Sequence, residues 1–494
     1  MAVIGLDVGT TAAKCSAYNE SGKLLSGAGV EYGADIINRG ENHVINFENL
    51  LNAVFQILAD CAKNCKEEIE AVCISNFGET FAAVDKNGVP LLPAMLYTDN
   101  SGIKQLEKLL PHSEEILSVC GIKPHQMYSL PKILFIKENH PEVYKKAYKF
   151  LTPQDFIIYR LTGNAAIDYS DASRTMAFDI REYAFSDKIL NYAGVEKDKF
   201  STPVKTGAVV SEILPSVAVK LNISKKCVVV TGGQDQICAA LGAGIVKEGM
   251  AADGMGTVEC ITPYFDKPIT DKKMQDNGYA CVPYAFENSY VTYAFNFAGG
   301  ATLKWYRDNF LQYEAEKHDN VYAYFDKNLK EKPTDLFILP HLLGSATPYM
   351  DGASRGAIIG LTINTDKRDI YKAIFEGLTY EMMVNAELLK NAGVNINCLH
   401  ATGGGSRSEE WIKLKASMMG IPFKRVIGGE GGITGAAMLA FTALKKFKGL
   451  KEAAKVFVNL SGEYIPDMKL HKIYSEKFEK YKKAYKNVKD ILAE

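Results

Sequence analysis

No two of the ten cysteines in this 494-residue chain are spaced C-x-x-C, and no histidine stands where a zinc ligand would. A dithiol redox centre or a zinc site is therefore not expected. Several cysteines fall inside apolar runs such as Ala71-Val72-Cys73-Ile74, where a thiol behaves as a small buried hydrophobe, and a reducing cytoplasm is the expected setting. No apolar run approaches the ~18 residues of a membrane span, and no basic segment precedes the first one, so neither a membrane protein nor a secretory signal is expected. Excess charge of one sign is missing too. With 57 Lys+Arg against 58 Asp+Glu the net charge is -1, which leaves no electrostatic footprint for nucleic acid or an anionic membrane.

What is present is an ordinary globular composition, 47% hydrophobic and 23% charged, in a chain longer than the ~250–300 residues at which single cores stop growing. Two α/β domains are expected, residues 1–248 and 249–494. In the first half, Leu51, Val54, Phe55, Leu58, Ala59 and Ala62 recur at helical spacing ahead of the strand-like Ala71-Val72-Cys73-Ile74-Ser75. Cys227 to Thr231 reads as a buried strand ending in Gly232-Gly233, with a close-packed helix behind it around Ala239–Gly244. The second half holds a helix from about Asp369 to Asn391 closed by Gly393, then a strand Cys398–Thr402 running into Gly403-Gly404-Gly405 and another helix through Trp411. The last ~28 residues read as one Lys/Glu-rich amphipathic helix with a solvated face.

Two look-alike turns carry the functional signal: Asp7-Val8-Gly9-Thr10-Thr11 and Asp253-Gly254-Met255-Gly256-Thr257, one opening each half. Each lies between short β-rich runs and predicts a hairpin tip, where glycine lets backbone amides approach an anion. Two such turns facing one another would grip a polyphosphate between domains. Thr10, Thr11 and Lys14 add hydroxyl and ammonium donors, and Asp7 at the strand end is placed to orient Mg2+ near the transferred phosphate. The glycine-rich turn Gly403–Ser408, at a helix N-terminus, would meet the nucleoside or α-phosphate. Asp235, after Gly232-Gly233-Gln234, is the candidate base for an acceptor hydroxyl, with a plain helix cap as the alternative. No G-x-G-x-x-G opens a βαβ unit, which sets a NAD-binding protein aside.

The ordered set of these motifs resembles the FGGY carbohydrate kinases of the actin/sugar-kinase/heat-shock-protein ATPase superfamily over essentially the whole chain. It comprises Gly5–Thr11, Tyr97-Thr98-Asp99, Leu151–Asp155, Tyr159–Gly163, Asp168–Ser173, Gly232–Asp235, Gly254–Thr257, Arg355–Leu361, Gly403–Ser408 with Trp411, and Gly435-Ala436-Ala437. The resemblance implies two actin-like (ribonuclease H-like) domains, each a mixed sheet flanked by helices, around an interdomain cleft. It also implies ATP with Mg2+ as cofactors and transfer of the γ-phosphoryl group to a sugar or polyol. Asp235 would be the base and, with Asp7, would hold the metal. Gly9, Thr10, Gly256 and Thr257 would hold phosphates, and Gly404, Gly405 and Ser408 would lie along the adenosine.

Glu79, Thr80, Asp99 and Gln236 would meet the acceptor. Glu79-Thr80 and Asp235-Gln236 look like the polyol-binding elements of glycerol kinases, with Gly78 where an arginine is usual, and the loop lacks the Gln-Met-His typical of xylulose kinases. The expected acceptor is an open-chain ketose or polyol, pentulose-like. A glycerol or tetritol kinase, or an ATPase relative without a sugar, are the alternatives. A homodimer is common in similar proteins.

Overall fold

The hairpin Ala2–Val8 (β1) and Ala12–Asn19 (β2) starts a six-stranded sheet completed by Leu24–Glu31 (β3), Ile69–Asn76 (β4), Val209–Glu212 (β5) and Val228–Gln234 (β6), in the order β5-β6-β4-β1-β2-β3. This is a computed structural model that describes residues 1–33, 36–39 and 42–492. β1 is apolar and buried along nearly its whole length, as a central strand covered on both faces must be. It runs antiparallel to β2, with Asp7 opposite Lys14, and parallel to β4, with Asp7 beside Ser75. One face is covered by helix α1, Phe47–Asn64, whose N-terminal amides are capped by the Asn46 side chain and whose apolar stripe includes Leu51, Val54, Phe55 and Leu58.

β6 runs through Gly232-Gly233 to Gln234, one residue beyond the end expected from the sequence. Gly232 and Gly233 lie inside the strand, because a Cβ at 232 would fall 2.1 Å from the Ile74 carbonyl oxygen of the neighbouring strand. Helix α2, Asp235–Gly242, follows directly.

The second sheet repeats this plan. Its strands are Met250–Met255 (β7), Glu259–Phe265 (β8), Val282–Pro283 (β9), Tyr290–Val291 (β10), Ala294–Asn296 (β11), Cys398–Thr402 (β12), Phe423–Ile427 (β13) and Asn459–Tyr464 (β14). The order is β9-β10-β8-β7-β12-β13-β14, with β11 also on β8. As in the first sheet, an antiparallel hairpin leads, its first strand pairs in parallel with a later one, and that strand pairs in parallel with the next. The long helix α3, Lys367–Asn391, opens on a capping box at Asp366 and Asp369. Helix α4, Glu409–Met419, follows β12. The fold is thus two actin-like α/β domains, each a mixed sheet flanked by helices.

All strands of the first sheet precede residue 235, yet part of its cover comes from the second half. Helices α5 (Gly431–Ala443) and α6 (Leu450–Phe457) pack on it, joining Val3, Ala71 and Val230 in one core with Ile433, Leu439 and Phe457. α5 crosses α2 so closely that a Cβ on Gly435 would lie 2.0 Å from the Cys238 carbonyl oxygen, and one on Gly242 would lie 2.0 Å from that of Gly431. Nothing bulkier than glycine fits at this crossing.

The C-terminus departs from the single helix expected. It forms two, α7 (Met468–Tyr481) and α8 (Ala484–Leu492), and residues 493–494 lie outside the described residues. The charge pattern concealed a buried aromatic stripe: the Tyr474 and Tyr481 hydroxyls donate to Glu376 (2.7 Å) and Glu381 (2.6 Å) of α3.

Candidate active site

Asp7, one residue before the end of β1, is half-buried, and its carboxylate accepts a hydrogen bond from Ser75 Oγ at 2.7 Å. Burial raises its pKa, and the Ser75 bond opposes that shift. The start of α5 lies against it: a Cβ on Gly432 would be 2.9 Å from Asp7 Oδ1. Asp235 is the first residue of α2, after Gln234 as N-cap, and its Oδ1 accepts the Gln236 backbone N–H at 2.7 Å. Burial, then the charges of Asp7 and Glu79, push the Asp235 carboxyl up to about 7, while Arg174 pulls it down. A carboxylate poised near neutrality is suited to take a proton from an alcohol.

Each glycine turn is closed by its glycine N–H, though over different spans. The N–H of Gly9 donates to the Ala12 carbonyl three residues on (2.9 Å) and that of Gly256 to the Val258 carbonyl two residues on (3.1 Å). Thr10 is half-buried, while Thr11 and Thr257 are exposed at the tips. Lys14 reaches out of the first turn to Glu430, 2.7 Å away, in the glycine-rich segment before α5. Gly403 has a left-handed φ of 81° and packs on the second turn, where its Cβ would lie 2.9 Å from the Met255 carbonyl oxygen. Gly404 is exposed with no atom within 4 Å of a Cβ, so a flat group could lie against its backbone, and Gly405 is backed by the Trp411 ring. Ser408 stands at the start of α4. Its hydroxyl caps α4, accepting from the Trp411 N–H at 3.1 Å.

The aspartates opening the two turns have different surroundings. Asp253 is fully buried, with Lys415 Nζ of α4 at 2.8 Å, and the same ammonium also contacts Glu259. Burial raises Glu259, and the Asp253 charge adds to that shift against the pull of Lys415.

On the acceptor side the four expected residues diverge. Glu79 is buried in a left-handed backbone conformation, φ 64°, with its carbonyl accepting from Ser129 Oγ at 2.9 Å and its carboxylate paired with Arg174. Gln236 is half-buried next to the base. Thr80 is fully buried and its hydroxyl accepts the Tyr97 N–H. The Asp99 oxygens accept the backbone N–H groups of His43 (2.8 Å) and Ser101 (2.9 Å).

Sequence reasoning missed Arg174, Lys132, Tyr128 and Tyr293. Lys132 is buried, donates to the Leu96 and Met127 carbonyls, and is lowered to about 8 by burial against the pull of Asp99 and Glu79. Arg174 stands one residue beyond the Asp168–Ser173 motif, so its type was visible while its partner, 95 residues away, was not.

Among the described residues no cluster of three or more His, Cys, Asp or Glu forms a metal cage. Mg2+ carried with a nucleotide takes one or two carboxylates together with phosphate oxygens and waters, and Asp7 with Asp235, close enough for the charge of one to raise the other, fits that need.

The N-terminal domain model of the FGGY family of carbohydrate kinases matches residues 2–242, and its C-terminal domain model matches residues 256–444. The chain belongs to the FGGY family of carbohydrate kinases. A xylulose kinase from Bacillus subtilis is 27% identical over 496 residues, covering 99% of this chain and 97% of its own length. A gluconokinase from the same organism is 27% identical over 430 residues, covering 84% and 82%. The crystal structure of ligand-bound xylulose kinase from Lactobacillus acidophilus superposes with a TM-score of 0.89 at 23% identity, covering 99% of this chain and 98% of that one. No helix among the described residues is long and apolar enough to cross a membrane.

Proposed function

We propose that this FGGY kinase transfers the γ-phosphoryl group of ATP to a hydroxyl of a neutral open-chain sugar, a ketopentose of the xylulose type. The observation that carries the reading is Asp235. A carboxyl held near 7 lies within reach of the charges of both Asp7 and the Glu79–Arg174 pair. As base it accepts the proton of the acceptor hydroxyl while the hydroxyl oxygen forms its bond to the γ-phosphorus and the bond from that phosphorus to the bridging oxygen breaks, releasing ADP. Mg2+, when bound with the nucleotide at Asp7 and Asp235, neutralises phosphate charge. The backbone of the Gly9 and Gly256 turns orients the phosphates, and Gly404-Gly405 provides a surface for the nucleoside.

Charge balance favours a neutral acceptor over an aldonate. Around Glu79 the carboxylates of Glu79 and Asp99 are matched by the buried cations Arg174 and Lys132. A substrate carboxylate would add an unmatched negative charge next to Asp235. ADP release should be screened across D-xylulose, D-ribulose, glycerol, erythritol and gluconate. D-Xylulose or D-ribulose as the best acceptor supports the assignment. Glycerol or erythritol in that place moves it to a polyol kinase, and gluconate refutes the neutral-acceptor argument. ADP release indifferent to every acceptor leaves an ATPase.

A further inference from the structure

Arg174 ends the short helix Tyr169–Ser173 and is 7% exposed. Its Nε donates to Glu79 Oε1 and its Nη2 forms the ion pair with the same oxygen, so one edge of the guanidinium is committed. Its guanidinium carbon also lies over two aromatic rings, 5.0 Å from the Tyr128 centroid and 5.8 Å from that of Tyr293. Tyr293 is itself fixed by its hydroxyl, which donates to Gln234 Oε1 at 2.9 Å, one residue before the base. Position 78 carries no side chain, and a Cβ there would stand in ordinary van der Waals contact with Arg174 Cγ, 3.6 Å away.

The third nitrogen is different. Nη1 is buried and has no hydrogen-bond partner in the protein. A guanidinium has five N–H donors in a rigid fork, and a buried charged donor without an acceptor is costly. Burial works against the charge, yet the Glu79 carboxylate and the two tyrosines outweigh it, so Arg174 stays protonated and its pKa is raised. The group is close enough to Asp235 to lower the pKa of that carboxyl. An orphaned, immobilised, permanently charged donor beside the base is a half-made hydrogen bond.

We propose that Arg174 is a specificity-determining residue that touches the acceptor, its Nη1 donating to a hydroxyl or ketone oxygen remote from the hydroxyl that is phosphorylated. This rests on the kinase reading above. Glu79 and Arg174 then form a donor–acceptor couple facing one substrate. The carboxylate accepts from hydroxyl groups, and the guanidinium donates to an oxygen that a carboxylate alone would repel. Because Glu79 already neutralises the cation, the couple selects an uncharged oxygen over a carboxylate. Mutual locking keeps the donor in place before substrate arrives, so binding costs little ordering of the side chain.

The test compares the wild-type chain with Arg174→Met and Arg174→Lys. kcat/KM is measured for D-xylulose, for 1-deoxy-D-xylulose, which lacks one remote hydroxyl, and for xylitol, which replaces the ketone by a carbinol; KM for ATP is measured alongside. A hydrogen bond from a charged donor predicts that the wild type prefers D-xylulose over at least one analogue by about 10-fold or more. In Arg174→Met that preference collapses to within about threefold, because the donor is gone, while KM for ATP stays within about threefold of wild type. A purely structural role would depress all acceptors by one factor and leave the ratios intact.

Arg174→Lys keeps a cation against Glu79 and supplies the same readout if the methionine variant fails to fold. Preserved ratios in a folded variant overturn the proposal, as does a wild type indifferent to both analogues. A wild type that phosphorylates none of the three compounds and none of the acceptors in the wider screen overturns the kinase reading itself, and the proposal with it.

Discussion

Lys415 holds its ammonium 2.8 Å from the Asp253 carboxylate, beneath the second glycine turn, with both side chains fully buried and Glu259 as the third member. The cation ties α4 to both strands of the β7–β8 hairpin, whose tip is Gly256-Thr257. Removing one partner of a buried ion pair leaves uncompensated charge and costs about 3–5 kcal/mol, whereas neutralising all members together can be nearly neutral. Lys415→Met is therefore expected to lower Tm by several degrees and to raise KM for ATP more than KM for the sugar. The triple variant Lys415→Met, Asp253→Asn, Glu259→Gln should regain most of the stability. Thermal melts and steady-state kinetics decide it, and an unchanged Tm in the single variant would remove the triad from this role.

Asp235→Asn should lose about 10²–10⁴-fold in turnover, the usual contribution of a general base, with nucleotide binding nearly intact. Asparagine keeps the size and can still accept the Gln236 N–H that fixes the side chain. Turnover within a few-fold of wild type, measured together with nucleotide affinity, would falsify the assignment.

As the proposed base, the same carboxyl is expected to set the pH dependence of the reaction. Held at about 7 in the folded chain, Asp235 must be deprotonated to act, so kcat/KM is expected to fall about tenfold per unit as pH drops below 7 and to level off above it. Stability runs the other way. A carboxyl whose folded pKa is raised above its unfolded value of ~3.9 favours folding below that value, and the advantage is lost as pH rises towards 7. The Tm of Asp235→Asn relative to wild type should therefore climb between about pH 4 and pH 7 and stay flat above. A difference independent of pH would contradict the raised pKa.

The parts of the site legible in the sequence are those whose geometry is local. A hairpin tip needs its glycine wherever the chain goes next, so Gly9 and Gly256 announced themselves, and Asp235 followed from its place at a strand end. The fold class was legible for the same reason, since strand–helix alternation is a local pattern. What stayed hidden depends on contacts distant in sequence: Arg174 with Glu79, 95 residues apart, and Lys415 with Glu259, 156 residues apart. The backbone partners of Thr80 and Asp99 are likewise distant in sequence: the Thr80 hydroxyl accepts the Tyr97 N–H, and Asp99 accepts the N–H of His43 as well as that of nearby Ser101. Nor does a linear division near residue 248 anticipate that α5 packs on the first sheet, where only glycines at 242 and 435 permit the approach. Gly435→Ala is accordingly expected to lower Tm by several degrees or to yield insoluble protein, as overpacking does.

The Lys14–Glu430 pair closes the first turn against the segment leading into α5, and both side chains are at least half exposed, at 55% and 50%. Exposed pairs contribute about 0–1 kcal/mol, so breaking this one should leave Tm within experimental error of wild type. On the proposed function its effect belongs to the nucleotide. Lys14 lies opposite Asp7 across the β1–β2 hairpin, next to the Gly9 turn proposed to meet phosphate, and Glu430 holds its ammonium. An arriving phosphate must compete with Glu430. Lys14→Met is expected to raise KM for ATP several-fold, and Glu430→Gln, which frees the ammonium, to lower it. The opposite signs are the discriminating result, because a merely structural clamp would raise KM in both variants. Measuring both at low and at moderate salt adds a check, since the wild-type pair and any lysine–phosphate contact are both weakened by screening.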